Sequence, residues 1–378
     1  MIKCEDFYNI LKKNGFIFFS GIPDSTFKEW TKFLDDNEAI LQNIVSCNEC
    51  EAIALIAGYY LATNKIGIVY MQNSGLGKAV NPLTSLCDPE VYSIPLLLMI
   101  GWRGEPGKSD APQHKKMGKI TLPLLETLKI PYCILEPNLE MIEKEFDRVN
   151  EYLNNNKGPY AFIFRHNFFQ HYDFKKKKNQ NKYELSRGEA INLIMDNLDN
   201  DEIIISSTGY LSREVFEYRE MRKKDHFKSF YNIGSMGNAS SIGLSIAIQK
   251  PDKRVIIFDG DGAAIMQLGA FTTIGKHSVS NLVHIVFDNH AHESTGGQPT
   301  NSSSVDFLKI ALASSYKSGK SIITKEELLK AIPIIKKAEG PIIIIIKINI
   351  GSRCDLKRPD KDPKEYKEEF MKYLTRLK

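Results

Sequence analysis

The stretch from Val255 to Asn289 constrains this chain more than any other. Val255-Ile256-Ile257-Phe258 is an apolar run short enough for a buried strand, and Leu282 to Phe287 is a second. A helix-length segment separates them, so the pattern predicts strand, helix, strand. Gly260-Asp261-Gly262 follows the first run, and Asp288-Asn289 follows the second. Strand ends on one edge of a parallel sheet are where ligands bind. Glycines let the main chain come close to a phosphate. The side-chain oxygens of Asp261 and Asn289 are hard donors that suit magnesium. A diphosphate and its metal ion therefore fit between these two loops, beside Gly260, Gly262 and Ala263. Taken alone, Gly-Asp-Gly is also a plain tight turn after a strand; the two flanking strands argue for more.

The alternation of strands and helices runs through the whole chain. In the first half, strands are expected at 16–19, 44–45, 66–71, 95–100, 132–135 and 160–164, with helices between them. Gln72 to Gly77 reads as a loop leading into a helix, and Gly101 to Met117 as a long polar loop. The second half restarts with a helix over 187–198 and a strand over 203–206, which ends in Ser207-Thr208-Gly209. A short strand near Tyr231 leads to Gly234-Ser235-Met236-Gly237 and a small-residue helix over 239–248. A long loop over 290–303, two helices, a strand over 342–348 and a charged helix from about Lys364 complete the chain. This predicts an α/β protein with two doubly wound, mainly parallel sheets. The expected domains are 1–168 and 185–378, the second with a helical tail, joined by a polar, lysine-rich linker over 169–184.

Composition narrows the function classes. Of the 378 residues 42% are apolar and 25% charged, the balance of a globular protein. A net charge of +4 makes no general case for nucleic acid, and the Lys175–Lys178 run reads as solvated linker. No apolar stretch reaches membrane-spanning length, and Met1 to Lys13 lacks a signal-peptide core. The expectation is a cytoplasmic protein that meets neither membrane nor nucleic acid. Cys47-Asn48-Glu49-Cys50 has redox or zinc spacing, but no second pair completes a zinc site. Packed thiols without disulfides are expected.

Gly-Asp-Gly followed by a strand and then Asn resembles the signature of thiamine diphosphate enzymes. Asp288-Asn289-His290-Ala291-His292-Glu293-Ser294-Thr295-Gly296-Gly297-Gln298-Pro299-Thr300 is similar to the Asp-Asn-Gly-X-His-Asp-Ser-Thr-Gly-Gly-Gln run of the phosphonopyruvate decarboxylase family. Gly21-Ile22-Pro23-Asp24-Ser25, the run from Met71 to Gly77, the run from Gly101 to Gly107, and Ser352-Arg353-Cys354-Asp355-Leu356 resemble that family as well. The likeness covers nearly the whole chain. His290 stands where the family has glycine, and Glu293 where it has aspartate.

The resemblance implies specific roles. Thiamine chemistry requires a carboxylate beside the aminopyrimidine, and the family places a glutamate nine residues ahead of Gly-Tyr. Glu49 precedes Gly58-Tyr59 by that interval, whereas Glu51 does not. Glu49 also suits a helix N-terminus electrostatically. Thr208, Gly209, Ser235, Met236, Gly260, Asp261, Gly262, Ala263 and Asn289 are the implied coenzyme contacts, with Met236 propping the bent coenzyme. Asp261, Asn289 and the Ala291 carbonyl are the implied magnesium ligands. The substrate is expected to be a small anionic 2-oxo acid, held by Ser25, Arg103, Lys108 and Arg353, since arginine grips a phosphonate with two parallel hydrogen bonds. Asp24, His114 and His292 are candidates for proton transfer.

The implied activity is that of a carboxy-lyase converting 3-phosphonopyruvate to phosphonoacetaldehyde and carbon dioxide, in 2-aminoethylphosphonate biosynthesis. Sulfopyruvate or another 3-substituted pyruvate is the alternative substrate. The family also implies a homodimer, or a dimer of dimers, with the active site at the subunit interface. A thiamine diphosphate-binding regulator is disfavoured because Glu49 is retained. A nicotinamide oxidoreductase is disfavoured because Gly75-Leu76-Gly77 lacks the third glycine of a dinucleotide fingerprint.

Overall fold

The computed structural model describes residues 1–38, 41–175, 182–353 and 355–377. They form two compact units: Met1–Lys178 with Thr295–Gln298, and Asn179–Ser294 with Pro299–Lys378.

The first unit is built on six strands: β1 Phe18–Gly21, β2 Gln42–Val45, β3 Ile68–Gln72, β4 Leu96–Gly101, β5 Tyr132–Ile134 and β6 Pro159–Phe164. Their order is β2-β1-β3-β4-β6-β5, and every pairing is parallel. β4 and β6 are buried along their whole length, as continuous apolar runs covered on both faces should be. One face carries an aromatic core of Phe7, Trp30, Phe33, Phe164, Phe168 and Phe169, with Trp30 stacked on Phe169 at 5.5 Å. Aliphatic side chains such as Ile53, Ile56, Leu83 and Leu98 form a second core cluster. The buried Gln298 amide donates to Thr31 Oγ1 at 2.7 Å within this unit.

The second unit holds β7 Ile203–Ser206, β8 Ser229–Tyr231, β9 Val255–Gly260, β10 Leu282–Asp288, β11 Ser318–Ile322 and β12 Ile342–Lys347. The order is β8-β7-β9-β10-β12-β11, again all parallel. Raising each number of the first sheet by six reproduces the second, so the two units share one topology. In each, the chain turns from one direction of the sheet to the other between β1 and β3 and between β7 and β9. The segments leaving those strands therefore flank the crevice where α/β sheets bind ligands.

Several local expectations give way. Gln72–Gly77 is not a loop: the helix Asn73–Ser85 begins at Asn73, because Gly75 serves close packing rather than a turn. The loop after β4 ends earlier than expected. Pro112 opens the helix Pro112–Thr127, so His114 lies in its first turn and not in the loop. The single helix between β9 and β10 is two, Asp261–Met266 and Ala270–His277. The 290–303 loop contains short elements, including the 3-10 turns Glu293–Thr295 and Asn301–Ser304. β11, Ser-Gly-Lys-Ser-Ile, went unread because an edge strand pairs on one side and needs no apolar run. Within the stretch expected as linker, Phe169 and Tyr172 are buried in the first core. Lys176 to Lys178 and Cys354 lie outside the described residues. Cys4, Cys47, Cys50, Cys87 and Cys133 are free thiols. No helix among the described residues is long and apolar enough to cross a membrane.

Candidate active site

In the second unit, the segments leaving β7, β9 and β10 converge on one cavity. Ser207, Thr208 and Gly209 line it from β7; Gly260, Asp261, Gly262 and Ala263 from β9; Phe287, Asn289, Ala291 and His292 from β10 and beyond. Met236, Arg187 and Glu293 are also part of the wall. Asp261 is 3% exposed, and Thr300 Oγ1 donates to its Oδ2 at 2.5 Å. Burial, and then the charge of Asp288, push the Asp261 carboxyl above the usual carboxylate range. Asp288 is better compensated: it pairs with the Lys347 ammonium and accepts from Ser302 Oγ at 2.8 Å. A Cβ on Gly262 would lie 2.8 Å from His292 Cε1, so only glycine keeps the ring and the helix start this close. Burial pushes the His292 pKa down to about 4, leaving a neutral imidazole on the cavity wall at pH 7.

The first unit contains a second polar cluster. Asn48 caps the helix Glu49–Thr63 by accepting from Glu51 N–H, which places Glu49 at the first helical position. Glu49 is 7% exposed. Among the described residues its Oε2 has no hydrogen-bond partner, and the Lys78 ammonium is 3.8 Å away. A Cβ at Gly75 would fall 2.4 Å from Glu49 Oε1, so the bare glycine makes room for the carboxylate. Glu51 is engaged elsewhere: its Oε2 accepts from Cys47 N–H at 2.6 Å. Beside β1, the buried Asp24 caps a 3-10 turn through Thr26 N–H at 2.9 Å, and burial raises its pKa. The Arg103 guanidinium donates from Nε and Nη2 to both oxygens of Asp110, at 2.8 and 2.6 Å, and from Nη1 to Ser25 Oγ at 2.6 Å.

Residues 4–121 match the N-terminal TPP binding domain of thiamine pyrophosphate enzymes, and residues 207–346 match the C-terminal TPP binding domain. A phosphonopyruvate decarboxylase of Streptomyces hygroscopicus is 31% identical over 99% of this chain and 94% of its own. One from Streptomyces viridochromogenes is 32% identical over 86% of this chain and 84% of its own. The chain belongs to the thiamine diphosphate-dependent decarboxylase family. A sulfopyruvate decarboxylase subunit beta of Methanococcus maripaludis is 32% identical over 51% of this chain and its own whole length.

The structure suits the coenzyme of a thiamine diphosphate-dependent decarboxylase on two observations. A buried carboxylate oxygen without a partner, on Glu49, can accept a ring N–H. A glycine-floored cavity at two strand ends holds a dry carboxylate, Asp261, that pairs with no cation among the described residues. Among the described residues no three His, Cys, Asp or Glu side chains gather as a metal cluster. A cation beside Asp261 would therefore draw on amide, carbonyl and phosphate oxygens.

Of the sequence-predicted residues, the cavity gathers Thr208, Gly209, Met236, Gly260, Asp261, Gly262, Ala263, Asn289, Ala291 and His292. Ser235 is exposed, accepts from the Asn238 amide at 2.6 Å, and is not part of the wall. Arg353 is not part of it either, being exposed and paired with Glu217 and Asp355. Lys108 is exposed on the loop after β4, and His114 is half-buried on the helix that follows. Sequence reasoning missed Arg187, which lines the cavity from the helix after the linker. It also missed Thr300, whose hydroxyl meets Asp261 from 39 residues away. No local pattern marks Arg187, and the family-like run that ends at Thr300 does not single that residue out.

Proposed function

We propose that this enzyme decarboxylates 3-phosphonopyruvate to phosphonoacetaldehyde and carbon dioxide with thiamine diphosphate and Mg2+, supplying 2-aminoethylphosphonate biosynthesis. The observation that carries the substrate choice is the near full-length likeness to phosphonopyruvate decarboxylases. When bound, the coenzyme supplies an electron sink for the bond to the departing carboxylate. The residues of this chain do the rest. Glu49 Oε2, dry and open, would hold the proton shared with the aminopyrimidine. Residues 1–168 would thus form the pyrimidine-binding domain, and residues 185–378 the diphosphate-binding domain.

In the second domain, Thr208, Gly209, Gly260, Gly262 and Ala263 would approach the diphosphate with main-chain N–H groups. Asp261, Asn289 and the Ala291 carbonyl would hold the magnesium, and Met236 would set the bend of the coenzyme. Ser25 and Arg103, already hydrogen-bonded to each other, with Lys108 as a further cation, would receive the phosphonate. Asp24, raised by burial, is the candidate proton donor in the first domain. His292, held neutral, is the candidate acceptor in the second, with His114 a further candidate. The site would be shared between two copies of the chain in a homodimer or dimer of dimers.

Incubation of the purified protein with phosphonopyruvate, thiamine diphosphate and Mg2+, followed by an aldehyde assay, tests the reading. Preference for sulfopyruvate in parallel assays, suggested by the likeness to a sulfopyruvate decarboxylase subunit, would replace it. Mixing inactive Glu49→Gln and Asp261→Asn proteins tests the shared site. Mixed dimers regain one intact site each, whereas a site within one chain recovers nothing.

A further inference from the structure

Glu293 departs from the family's aspartate, and it is the hub of a buried network on the cavity wall. Its Oε2 accepts from Asn289 Nδ2 at 3.0 Å and from Arg187 Nη1 at 2.7 Å. Its Oε1 accepts from Gly351 N–H at 3.0 Å. Arg187 also donates from Nε and Nη2 to Glu214, at 3.0 and 3.2 Å. The side chains of Arg187, Glu214 and Glu293 are only 6%, 10% and 11% exposed.

An asparagine amide has two ends of nearly equal shape, and only the oxygen end can hold a hard cation. An ionised carboxylate only accepts, so Glu293 admits the nitrogen end of Asn289 alone. Ala291 N–H, 3.0 Å from Asn289 Oδ1, selects the same orientation, because a flipped amide would set N–H against N–H. Arg187 neutralises Glu293 and fixes it in place, so the selection costs little reorganisation when a cation arrives.

We propose that Glu293, braced by Arg187, is a positioning residue that locks the Asn289 amide in its oxygen-presenting orientation and thereby sets the cation affinity of this cavity. The proposal rests on the magnesium site of the preceding reading. It adds that the ligand's orientation is enforced by a residue that is not itself a ligand.

The probe is Mn2+, with free ion counted by electron paramagnetic resonance in the presence of thiamine diphosphate, on full-length protein whose fold is checked by circular dichroism. Wild type is expected to bind one ion per chain. Glu293→Ala should weaken that binding roughly 10- to 100-fold, the usual effect of losing a group that orients a ligand. Glu293→Asp, one methylene short, should fall between the two. Asn289→Asp keeps a hard oxygen but sets two carboxylates against each other. Adding Glu293→Gln to it supplies an N–H donor, so the double variant should bind Mn2+ more tightly than Asn289→Asp alone. A role in packing alone predicts no such recovery. Full-affinity binding by Glu293→Ala, or a double variant no better than Asn289→Asp, would overturn the proposal while leaving the cation site standing. If Glu293→Ala does not fold, the Asn289→Asp comparison decides. Wild type that takes up no Mn2+ with the coenzyme present removes the magnesium reading and this proposal together.

Discussion

Glu49 and Asp261 are both buried carboxylates that follow strands of sheets with the same strand order, yet their surroundings differ. Among the described residues, Glu49 has one oxygen without a hydrogen bond, with the Lys78 ammonium 3.8 Å away. Asp261 accepts a short hydrogen bond from Thr300, and its neighbour Asp288 is tied to Ser302 and Lys347. An unsatisfied carboxylate is free to share a proton with an incoming group. A tethered one is held ready for a charge that does not move. Burial alone would class the two together; the count of hydrogen-bond partners separates them, in keeping with the proton-handling role proposed for Glu49 and the scaffold role proposed for Asp261.

The largest expected effect sharpens this contrast. Glu49→Gln should lower kcat by about 10²- to 10⁴-fold, the range for losing a placed proton-transfer group. The melting temperature of the coenzyme-free protein should hold steady or rise, because the change removes a buried charge that is poorly paired. A variant that keeps full turnover breaks the comparison.

Thr300→Val should do the reverse. Removing a hydrogen bond to a buried carboxylate is expected to cost about 1–3 kcal/mol in denaturant unfolding of the free protein. Its effect on turnover at saturating coenzyme and metal should be much smaller than that of Glu49→Gln. Stability unchanged by this substitution would show that Asp261 is less tethered than the geometry implies.

A pH series tests the clamp on Arg103. Burial alone would raise the Asp110 pKa, but hydrogen bonds from Arg103, Ala111 and Gly104 outweigh it and hold the carboxyl below its ordinary 3.8. A depressed folded-state value contributes stability above the unfolded value, and that contribution is lost as pH falls below it. Wild type should therefore melt above Asp110→Asn at pH 6. The gap should close as the pH is taken below 3.8. A gap that widens in acid would contradict the assignment.

The smallest effect is expected at His290, whose φ of 58° places a non-glycine residue in the left-handed region. Tyr183 OH and Ser302 Oγ hold its ring at 3.1 and 2.7 Å. His290→Gly removes those bonds and relieves backbone strain of comparable size, so unfolding should shift by less than about 1 kcal/mol. A large loss of turnover instead would bring His290 into the chemistry.

Much of this was legible in the chain. β3, β4, β6, β9, β10 and β12 announced themselves as continuous apolar runs because both of their faces are covered. Glu49 could be told from Glu51 by its spacing to Gly58-Tyr59, and the structure adds that Glu51 is engaged by Cys47 N–H. Ser235 and Arg353 matched family positions but do not reach the cavity wall. A motif identifies a segment, not the direction each of its side chains takes.

Hydrophobic periodicity by itself pointed to the α/β class and to two halves, since those depend on local period, while the coenzyme family was legible only through the resemblance of whole motifs to known enzymes. Only the folded chain decided that Thr300 meets Asp261, that Arg187 and Gly351 converge on Glu293, and that Glu49 keeps an oxygen to spare. Those contacts join residues far apart in the chain. Hydrogen bonding at such distances follows from packing, which no local pattern encodes.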